Sequence, residues 1–219
     1  MARIFYDPED SRTYERFRMP ESSFHRDKYC MMLRSVPKGR NQKVLEIGAG
    51  TGIYTRFLVR DFKQVVATDI DEGMCAQAKR LIPEVKVQRA DACKLPFPNN
   101  SFDGVFGVSI LHHIPNRPAV FREVARVLKP GGWFAFCEPN ALNPFTRFVQ
   151  FYFREAALTC KGMKRDARNA GLTVTDKREI MLRSPRITSV TDHIPGWRLI
   201  ERVAGELHLG VSAYVAGRK

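Results

Sequence analysis

The stretch Val44-Leu45-Glu46-Ile47-Gly48-Ala49-Gly50-Thr51-Gly52 decides the fold of this chain of 219 residues. A short apolar run followed at once by alternating glycines predicts a buried strand that ends in a tight turn and leads into a helix. Because glycine has no Cβ, a ligand can approach such a turn closely, and the first N–H groups of the following helix face it. We therefore expect a ligand site above Gly48, Gly50 and Gly52.

The spacing of these glycines differs from the dinucleotide-binding fingerprint G-x-G-x-x-G. The place of the third fingerprint glycine is taken by Ile53. Glu46 lies just before the turn, where its charge would oppose a pyrophosphate and would suit an amine-bearing ligand. The sequence therefore disfavours a nicotinamide-dependent dehydrogenase.

Two further strands are predicted to end in carboxylates. The apolar run 64–68 ends at Asp69, and the run 85–88 is followed by Asp91. In a βαβ unit, a carboxylate at the end of the second strand accepts hydrogen bonds from ribose hydroxyls. These positions predict a nucleoside-containing ligand.

Several motifs together resemble the class I S-adenosylmethionine-dependent methyltransferases, and more narrowly their quinone and small-molecule branch. The resemblance covers roughly residues 43–140 and is carried by E-I-G-A-G-T-G at 46–52, T-D-I-D at 68–71, A-D-A at 90–92, L-P-F-P-N-N-S-F-D at 95–103, L-H-H-I at 111–114 and E-V-A-R-V-L-K-P-G-G-W at 123–133. It implies an α/β, doubly wound, seven-stranded, mostly parallel sheet of the Rossmann-like methyltransferase type, with the last strand antiparallel. It also implies S-adenosylmethionine as the cofactor and S-adenosylhomocysteine as its product.

The resemblance assigns a cofactor-binding residue to each strand end. Glu46 and Gly48 would contact the methionine portion, and Asp69 the ribose. The full predicted cofactor set is Glu46, Gly48, Ala49, Gly50, Gly52, Asp69, Ile70, Asp91, Ala92 and Ser109. In this set Ile70 would cover the adenine face, and Asp91 would bind the adenine amino group with Ala92 behind it.

Candidate catalytic residues follow the fourth and fifth predicted strands, which cover 103–110 and 133–137. His112 and His113 follow the fourth strand, and Glu138 closes the fifth. A neutral imidazole can take a proton from a substrate hydroxyl, amine or activated carbon, but these histidines can equally be hydrogen-bonding loop residues. Glu138 can orient a substrate or cap the next helix. Adjacent histidines make a poor metal site, so we predict none.

Candidate substrate contacts lie outside the cofactor core. A tyrosine of the N-terminal arm, Tyr6 or Tyr14, is expected over the cofactor's methionine end by family resemblance, with packing as the alternative. Residues 145–159 have apolar positions at helical spacing, including Phe145, Phe148 and Tyr152, and basic flanks. That segment can be a core-packing helix, a lid over a hydrophobic substrate, which His112 would also contact, or a surface that rests on a membrane.

We predict one methyltransferase domain over 1–219. It consists of an N-terminal helical arm over 1–42, a cofactor-binding core over 43–140, a variable helical substrate segment over 141–170, and C-terminal strands over 171–219. The periodicity of the last two parts predicts helices over 164–170 and 197–207 and strands over 172–180 and 211–216.

The net charge of +13 is concentrated outside the predicted core. Lysine and arginine outnumber acidic residues by 10 to 6 in residues 1–43 and by 8 to 3 in residues 142–178. Such surfaces attract nucleic acid, anionic lipid or acidic small molecules. The five cysteines lack zinc-site or disulfide spacing, and no apolar run is long enough for a membrane span, so we expect reduced thiols in a cytoplasmic protein.

The predicted function is methyl transfer to the oxygen, nitrogen or carbon of a small, hydrophobic or amphiphilic acceptor. Two alternatives stay open: a nucleic-acid or protein methyltransferase that uses the basic surfaces, and a non-catalytic cofactor-binding protein. Nucleic acid is the less favoured partner, because the loop 109–113 lacks the N-P-P-Y type signature of many enzymes that methylate base amino groups. The acceptor and the oligomeric state are not specified by the sequence.

Overall fold

A seven-stranded sheet organises the chain in the computed structural model, which describes residues 23–37, 39–143, 147–148, 151, 158–180 and 212–219. Six of the seven strands contain buried side chains, as the apolar content of the sequence predicts. The strand over 173–180, at one edge of the sheet, has only exposed or half-buried side chains over residues 173–178. The strands are β1 (Lys43–Ile47), β2 (Gln64–Asp69), β3 (Lys86–Arg89), β4 (Phe102–Val108), β5 (Leu128–Pro139), β6 (Thr173–Ile180) and β7 (Ser212–Arg218).

Helices connect the parallel strands and cover both faces of the sheet. The described helices are α1 (Ser23–Leu33), α2 (Thr55–Asp61), α3 (Glu72–Leu81), α4 (Arg117–Val127) and α5 (Cys160–Asn169), with a 3-10 helix at Leu111–His113. Side-chain oxygens of Asp71, Asn116 and Thr159 cap α3, α4 and α5 by accepting backbone N–H groups. None of the described helices is long and apolar enough to cross a membrane.

The sheet order is β3-β2-β1-β4-β5-β7-β6. Strands β1 to β5 pair in parallel, whereas β7 lies between β5 and β6 and pairs antiparallel with both. This confirms the predicted fold class. The chain moves outward from β1 to β3 and then returns to the other side of β1, so the carboxyl ends of β1 and β4 form a topological switch point, where such sheets bind ligands.

Two apolar clusters fill the space between the sheet and its helices. One contains Tyr29 and Met32 of α1, Phe57 and Leu58 of α2, and Trp133 of β5. The other lies on the opposite face and is built from α4, α5 and the alternate residues of β1, β4 and β5. The helix α1 is therefore part of the main core, as its apolar residues predict.

Two element boundaries differ from the predictions. The helix α5 begins at Cys160 and not at Lys164, because the Thr159 hydroxyl accepts the Gly162 N–H at 3.0 Å and starts the helix one turn earlier. The strand β5 begins at Leu128, because this residue pairs with Phe102 ahead of the predicted start at Trp133. The helix predicted over 197–207 lies outside the described residues, and the proposed division into arm, core and substrate segment stays a prediction.

Close packing of β4 against β5 depends on a glycine. A Cβ at Gly104 would lie 2.2 Å from Cε2 of Trp133, which is 2% exposed. The indole is fixed in turn, because its Nε1 donates a hydrogen bond to Oε1 of Gln42 at 2.9 Å. Position 104 therefore has no room for a side chain.

We predict that Gly104→Ala destabilises the protein by about 1–3 kcal/mol, because the methyl group overpacks a core whose indole cannot move away freely. Urea unfolding measures the change. Gly162→Ala is the matched control: its Cβ would lie 3.4 Å from the Thr159 hydroxyl inside α5, where alanine is favoured over glycine. A Gly104→Ala protein as stable as the unsubstituted chain would contradict this packing.

Candidate active site

A cavity of about 490 Å³ opens at the carboxyl ends of β1, β2 and β4. One side is formed by α1, and the other by the stretch 113–116 that precedes α4. Nine of the residues selected from the sequence line this cavity together: Gly48, Ala49, Gly50, Asp69, Ile70, Asp91, Ala92, Ser109 and His113. The sequence-based selection thus converges on one place in the structure.

The glycine turn after β1 forms the floor of the cavity. Gly48, Gly50 and Gly52 all have positive φ angles, of 71°, 54° and 86°, which only glycine adopts without strain. A Cβ at Gly48 would lie 2.5 Å from the Ile110 side chain, whereas a Cβ at Gly50 would have no atom within 4 Å. The backbone at Gly50 is therefore open to a ligand, as a nucleoside cofactor requires.

Asp69 ends β2 beside this turn. Its Oδ2 accepts the Gly50 N–H at 2.8 Å, and its Oδ1 accepts the Asp71 N–H at 3.0 Å. Burial raises the pKa of this carboxyl group, although the backbone hydrogen bonds oppose the rise. A carboxylate offers about four lone-pair directions, so Asp69 can hold the turn and also accept hydrogen bonds from ribose hydroxyls.

The far end of the cavity suits a flat, amine-bearing ring. Ile70 is an exposed apolar side chain, 42% accessible, whose backbone carbonyl accepts the Nε–H of Arg89 at 2.9 Å. Asp91 accepts the Cys93 N–H through Oδ1 at 2.8 Å, which fixes its carboxylate at the cavity wall, and Ala92 lies buried beside it. An aliphatic surface and a carboxylate in the lining of one cavity match a ring that carries an amino group.

Glu46 and Gly52 lie behind the cavity and do not line it. Glu46 is 2% exposed, and its Oε2 accepts the Thr55 hydroxyl at 2.5 Å. Burial raises the pKa of Glu46 to about 8, and the charge of Asp69 adds to this rise while the Thr55 hydrogen bond opposes it. Glu46 is therefore mostly protonated near neutral pH in the absence of a ligand.

Ser109 lies in a strained conformation where β4 ends. Its φ of 54° is in the left-handed region, which is uncommon for a residue with a side chain. Its N–H donates to the Cys137 carbonyl at 2.9 Å, so the pairing with β5 holds the conformation in place. Such strain occurs preferentially at functional sites.

Glu138 fixes the turn that follows Ser109. The carboxylate is fully buried and accepts the N–H groups of Ile110, Leu111 and His112 at 2.9, 3.0 and 3.4 Å. It also contacts Nδ1 of His112 at 2.7 Å. Glu138 and His112 therefore lie beneath the cavity lining. Glu138 holds the turn after β4, which neither sequence interpretation of this residue included.

His113 is the histidine of this pair that lines the cavity. Its ring centroid lies 3.9 Å from that of His112. Burial lowers the pKa of His113 to about 4, the neighbouring His112 lowers it further, and Glu138 opposes the shift. His113 is therefore a neutral imidazole at physiological pH, able to accept a hydrogen bond from a ligand.

Sequence reasoning missed two cavity residues on α1. His25 and Lys28 line the cavity one helical turn apart, and the His25 ring lies edge-on to that of Tyr54 with centroids 5.6 Å apart. The sequence predicts a helical arm over 1–42, without a role for these two residues. One feature of the sequence could have indicated them: His25 and Lys28 are three residues apart and therefore lie on the same helix face as the buried Met32.

Of the remaining predicted substrate residues, the structure describes Phe148. Phe148 is 65% exposed and is absent from the lining. Tyr6, Tyr14, Phe145 and Tyr152 lie outside the described residues. Over the described ranges, no three His, Cys, Asp or Glu side chains are grouped so that they could hold a metal ion.

Comparison with known proteins finds a family match within the core. Residues 45–136 match the family described as "Methyltransferase domain". The demethylmenaquinone methyltransferase of Symbiobacterium thermophilum is 35% identical over 119 residues, which cover 50% of this chain and 47% of that protein. A "Probable phthiotriol/phenolphthiotriol dimycocerosates methyltransferase 2" from Mycobacterium ulcerans is 29% identical over 176 residues, which cover 78% of this chain and 64% of that protein. The chain thus spans about half to two thirds of the length of these curated relatives.

Solved structures agree on the fold. The S-adenosylmethionine-dependent methyltransferase from Mesorhizobium loti superposes with a TM-score of 0.70 at 20% identity, covering 91% of this chain and all of that one. The stretch that matches the family begins in β1, ends in β5 and contains every described cavity-lining residue except His25 and Lys28. Residues 45–136 are thus similar to the methyltransferase domain family, and the fold of the chain is that of solved S-adenosylmethionine-dependent methyltransferases.

Proposed function

We propose that this chain transfers a methyl group from S-adenosylmethionine to a small, hydrophobic or amphiphilic acceptor. The observation that carries the proposal is the cavity, in which Gly50, Asp69, Ile70 and Asp91 meet inside the stretch that matches the methyltransferase family. The relatives are matched over only part of their length, and their names specify different acceptors. The acceptor is therefore inferred from the cavity itself.

The chain would hold the cofactor with the residues at its strand ends. Asp69 binds the ribose hydroxyls, Ile70 packs on the adenine, and Asp91 accepts its amino group. The backbone at Gly50 permits close contact, because no side chain fills the space above it. Glu46, in its buried position below the turn, supplies a carboxyl group on the methionine side.

When bound, S-adenosylmethionine supplies an activated methyl group on a sulfonium. The protein then has to orient the acceptor in line with that methyl group and keep water away. The apolar wall of the cavity, which includes Val108, Ile110 and Ile114, excludes water and packs against an apolar acceptor.

His113 is suited to orient the acceptor. Its neutral ring accepts a hydrogen bond from an acceptor hydroxyl or amine, whereas its buried position disfavours a full positive charge. We therefore assign His113 an orienting contact to the nucleophile. Glu138 and His112 would position His113 through the turn that they share, without contact to the acceptor.

The first test is cofactor binding by calorimetric titration with S-adenosylhomocysteine. We expect the unsubstituted chain to bind it, and Asp69→Ala to weaken binding about 10- to 100-fold, the effect of losing hydrogen bonds to a charged group. Asp69→Asn, which keeps one acceptor oxygen, should weaken it less. Glu84→Ala removes an exposed carboxylate away from the cavity and should change nothing.

Titration with NADH tests the alternative cofactor in the same experiment. If the unsubstituted chain binds NADH and does not bind S-adenosylhomocysteine, the proposed cofactor and the proposed reaction are both wrong. Equal affinities of Asp69→Ala and the unsubstituted chain would remove Asp69 from the ribose site and leave the cofactor assignment intact.

We predict that binding of S-adenosylhomocysteine near pH 7 releases a proton from Glu46. With a pKa of about 8 this group is mostly protonated before binding, and the ligand's ammonium group favours the carboxylate. Titrations in phosphate and in Tris, which differ in ionisation enthalpy, measure the release. Glu46→Gln should abolish it, and so should 5′-methylthioadenosine, which lacks the ammonium group.

Glu46 also makes the stability of the unliganded protein depend on pH. The folded chain keeps Glu46 protonated, while the unfolded chain ionises it, so its contribution to stability is full below pH 4.5 and is lost as the pH rises to about 8. Thermal unfolding of the unsubstituted chain and of Glu46→Gln isolates this loss. A difference between them that does not vary with pH would contradict the raised pKa.

Nitrogen-15 NMR of the histidine rings tests the placement of His113. We expect its ring to stay neutral until the pH falls toward 4, because protonation would place a charge in a buried site beside another imidazole. His113→Gln assigns the signal. A His113 titration at the ordinary value of 6.5 would show that the ring faces solvent and would remove the orienting role.

A further inference from the structure

The cavity wall at Asp91 is built on a connection that has no helix. Residues 90–101 join β3 to β4, and over this described stretch the structure has one isolated bridge, between Asp91 and Lys94, and no helix or strand. The two preceding crossovers, from β1 to β2 and from β2 to β3, run through α2 and α3. Because buried backbone groups need hydrogen-bond partners, the partners of this connection have to come from another element.

The helix α4 supplies these partners through Glu123 and Arg126. Oε2 of Glu123 accepts the N–H of Leu95 at 2.7 Å, and Nη2 of Arg126 donates to the carbonyl of the same residue at 2.9 Å. Nη1 of Arg126 also donates to the Phe97 carbonyl at 2.6 Å and to Oδ1 of Asn99 at 3.1 Å. Both backbone polar groups of Leu95 are thus bound by side chains of one helix.

The two side chains also hold each other in place. Nε and Nη2 of Arg126 donate to Oε1 and Oε2 of Glu123 at 2.8 and 2.7 Å, which makes a bidentate ion pair. These hydrogen bonds lower the pKa of Glu123; burial opposes the shift, and the Leu95 N–H adds to it. Arg126 thereby uses each of its five N–H groups, three of them on the connection. A lysine has three N–H donors and cannot replace it.

The anchored residue Leu95 lies one turn after Asp91. The Asp91 carboxylate accepts the Cys93 N–H at 2.8 Å, and the Asp91 carbonyl accepts the Lys94 N–H at 3.0 Å. Leu95 follows directly, and its side chain is buried with that of Ala92 among the apolar residues of α4. The position of Asp91 in the cavity wall therefore depends on where α4 holds Leu95.

We propose that Glu123 and Arg126 are positioning residues for the adenine end of the cofactor, and that they act by holding Asp91 where it accepts the adenine amino group. The inference rests on the proposed function and on its predicted contact between Asp91 and adenine. Neither Glu123 nor Arg126 is among the described residues that line the cavity, so both act through the connection. The selectivity of the site for an amino-bearing purine then depends on an ion pair outside the site.

Selectivity between two purines separates positioning from a role in stability alone. A variant that is merely less stable has a smaller folded fraction, which weakens the binding of every ligand by the same factor. A displaced Asp91 instead weakens only those ligands that donate the amino group to it. S-adenosylhomocysteine carries this amino group, whereas S-inosylhomocysteine has a carbonyl oxygen in its place.

Calorimetric titration with S-adenosylhomocysteine and S-inosylhomocysteine measures this selectivity. We expect the unsubstituted chain to prefer the former about tenfold or more, as for a hydrogen bond to a charged group. Arg126→Met should reduce the preference about fivefold or more, and Arg126→Lys, which keeps the charge with fewer donors, should reduce it less. Arg122→Met is the matched control, because it removes an exposed cation of the same helix outside the cavity lining and should keep the preference.

Asp91→Ala tests whether the ion pair acts through this carboxylate. We expect Asp91→Ala to reduce the preference at least as strongly as Arg126→Met, and the double variant to reduce it no further than Asp91→Ala, because both changes remove the same interaction. Hydrogen exchange of the Leu95 amide, followed by NMR, reports the anchor itself. It should be faster in Arg126→Met and in Glu123→Gln than in the unsubstituted chain.

The possible outcomes are distinct. An unchanged preference in Arg126→Met, or a further loss in the double variant, overturns the proposal while the cofactor assignment stands. So does an unsubstituted chain that binds both purines equally, because Asp91 would then not bind the amino group. If the unsubstituted chain does not bind S-adenosylhomocysteine, the proposed function is wrong and this inference with it.

A fallback covers the case in which Arg126→Met does not fold. Arg126→Lys and Glu123→Gln then replace it, since both keep a hydrogen-bonding side chain of similar size. A reduced preference in either variant supports the proposal, and the full preference in both overturns it.

Discussion

The turn after β1 and the turn after β4 touch each other, and the cavity depends on that contact. Ile110 packs so closely over Gly48 that a Cβ at position 48 would lie 2.5 Å from its side chain. The Ile110 N–H is held in turn by the buried carboxylate of Glu138, on the neighbouring strand. Three adjacent strands, β1, β4 and β5, are thus joined at their carboxyl ends. This joint fixes the position of the turn after β4 relative to the glycine turn, and both turns line the cavity.

The parts of the site that the sequence predicts are those with a local physical signature. Alternating glycines after an apolar run reveal a turn, and the carboxylates Asp69 and Asp91 directly follow their strands, so their position at the sheet edge needs no knowledge of distant contacts. The seven-stranded sheet was implied by the resemblance to the class I methyltransferases, and the sheet of the structure confirms it. The start of α5 was misplaced because the cap at Thr159 lies ahead of the apolar periodicity.

The contacts of Glu138 and the position of Lys28 in the cavity lining could not be predicted, because both depend on the packing of distant segments. Glu138 meets residues 26–28 positions earlier in the chain, which no periodicity reveals. Lys28 lines the cavity because α1 packs on the sheet with polar and apolar residues on the same face. The usual pattern of an amphipathic helix would instead place a charged side chain on the face exposed to solvent. The predicted contact of Glu46 with the methionine portion of the cofactor stays a prediction, and its burial behind the turn depends on Thr55 of α2, which the sequence did not reveal.

The support of the turn after β4 by Glu138 affects which side chains around the cavity can vary. The carboxylate accepts hydrogen bonds from backbone N–H groups, which every residue except proline has. The backbone conformation of the turn therefore depends less on which side chains it carries. Substitutions at His113 and Ile114, which line the cavity and do not form these contacts, can then alter the cavity wall while the backbone of the turn keeps its conformation.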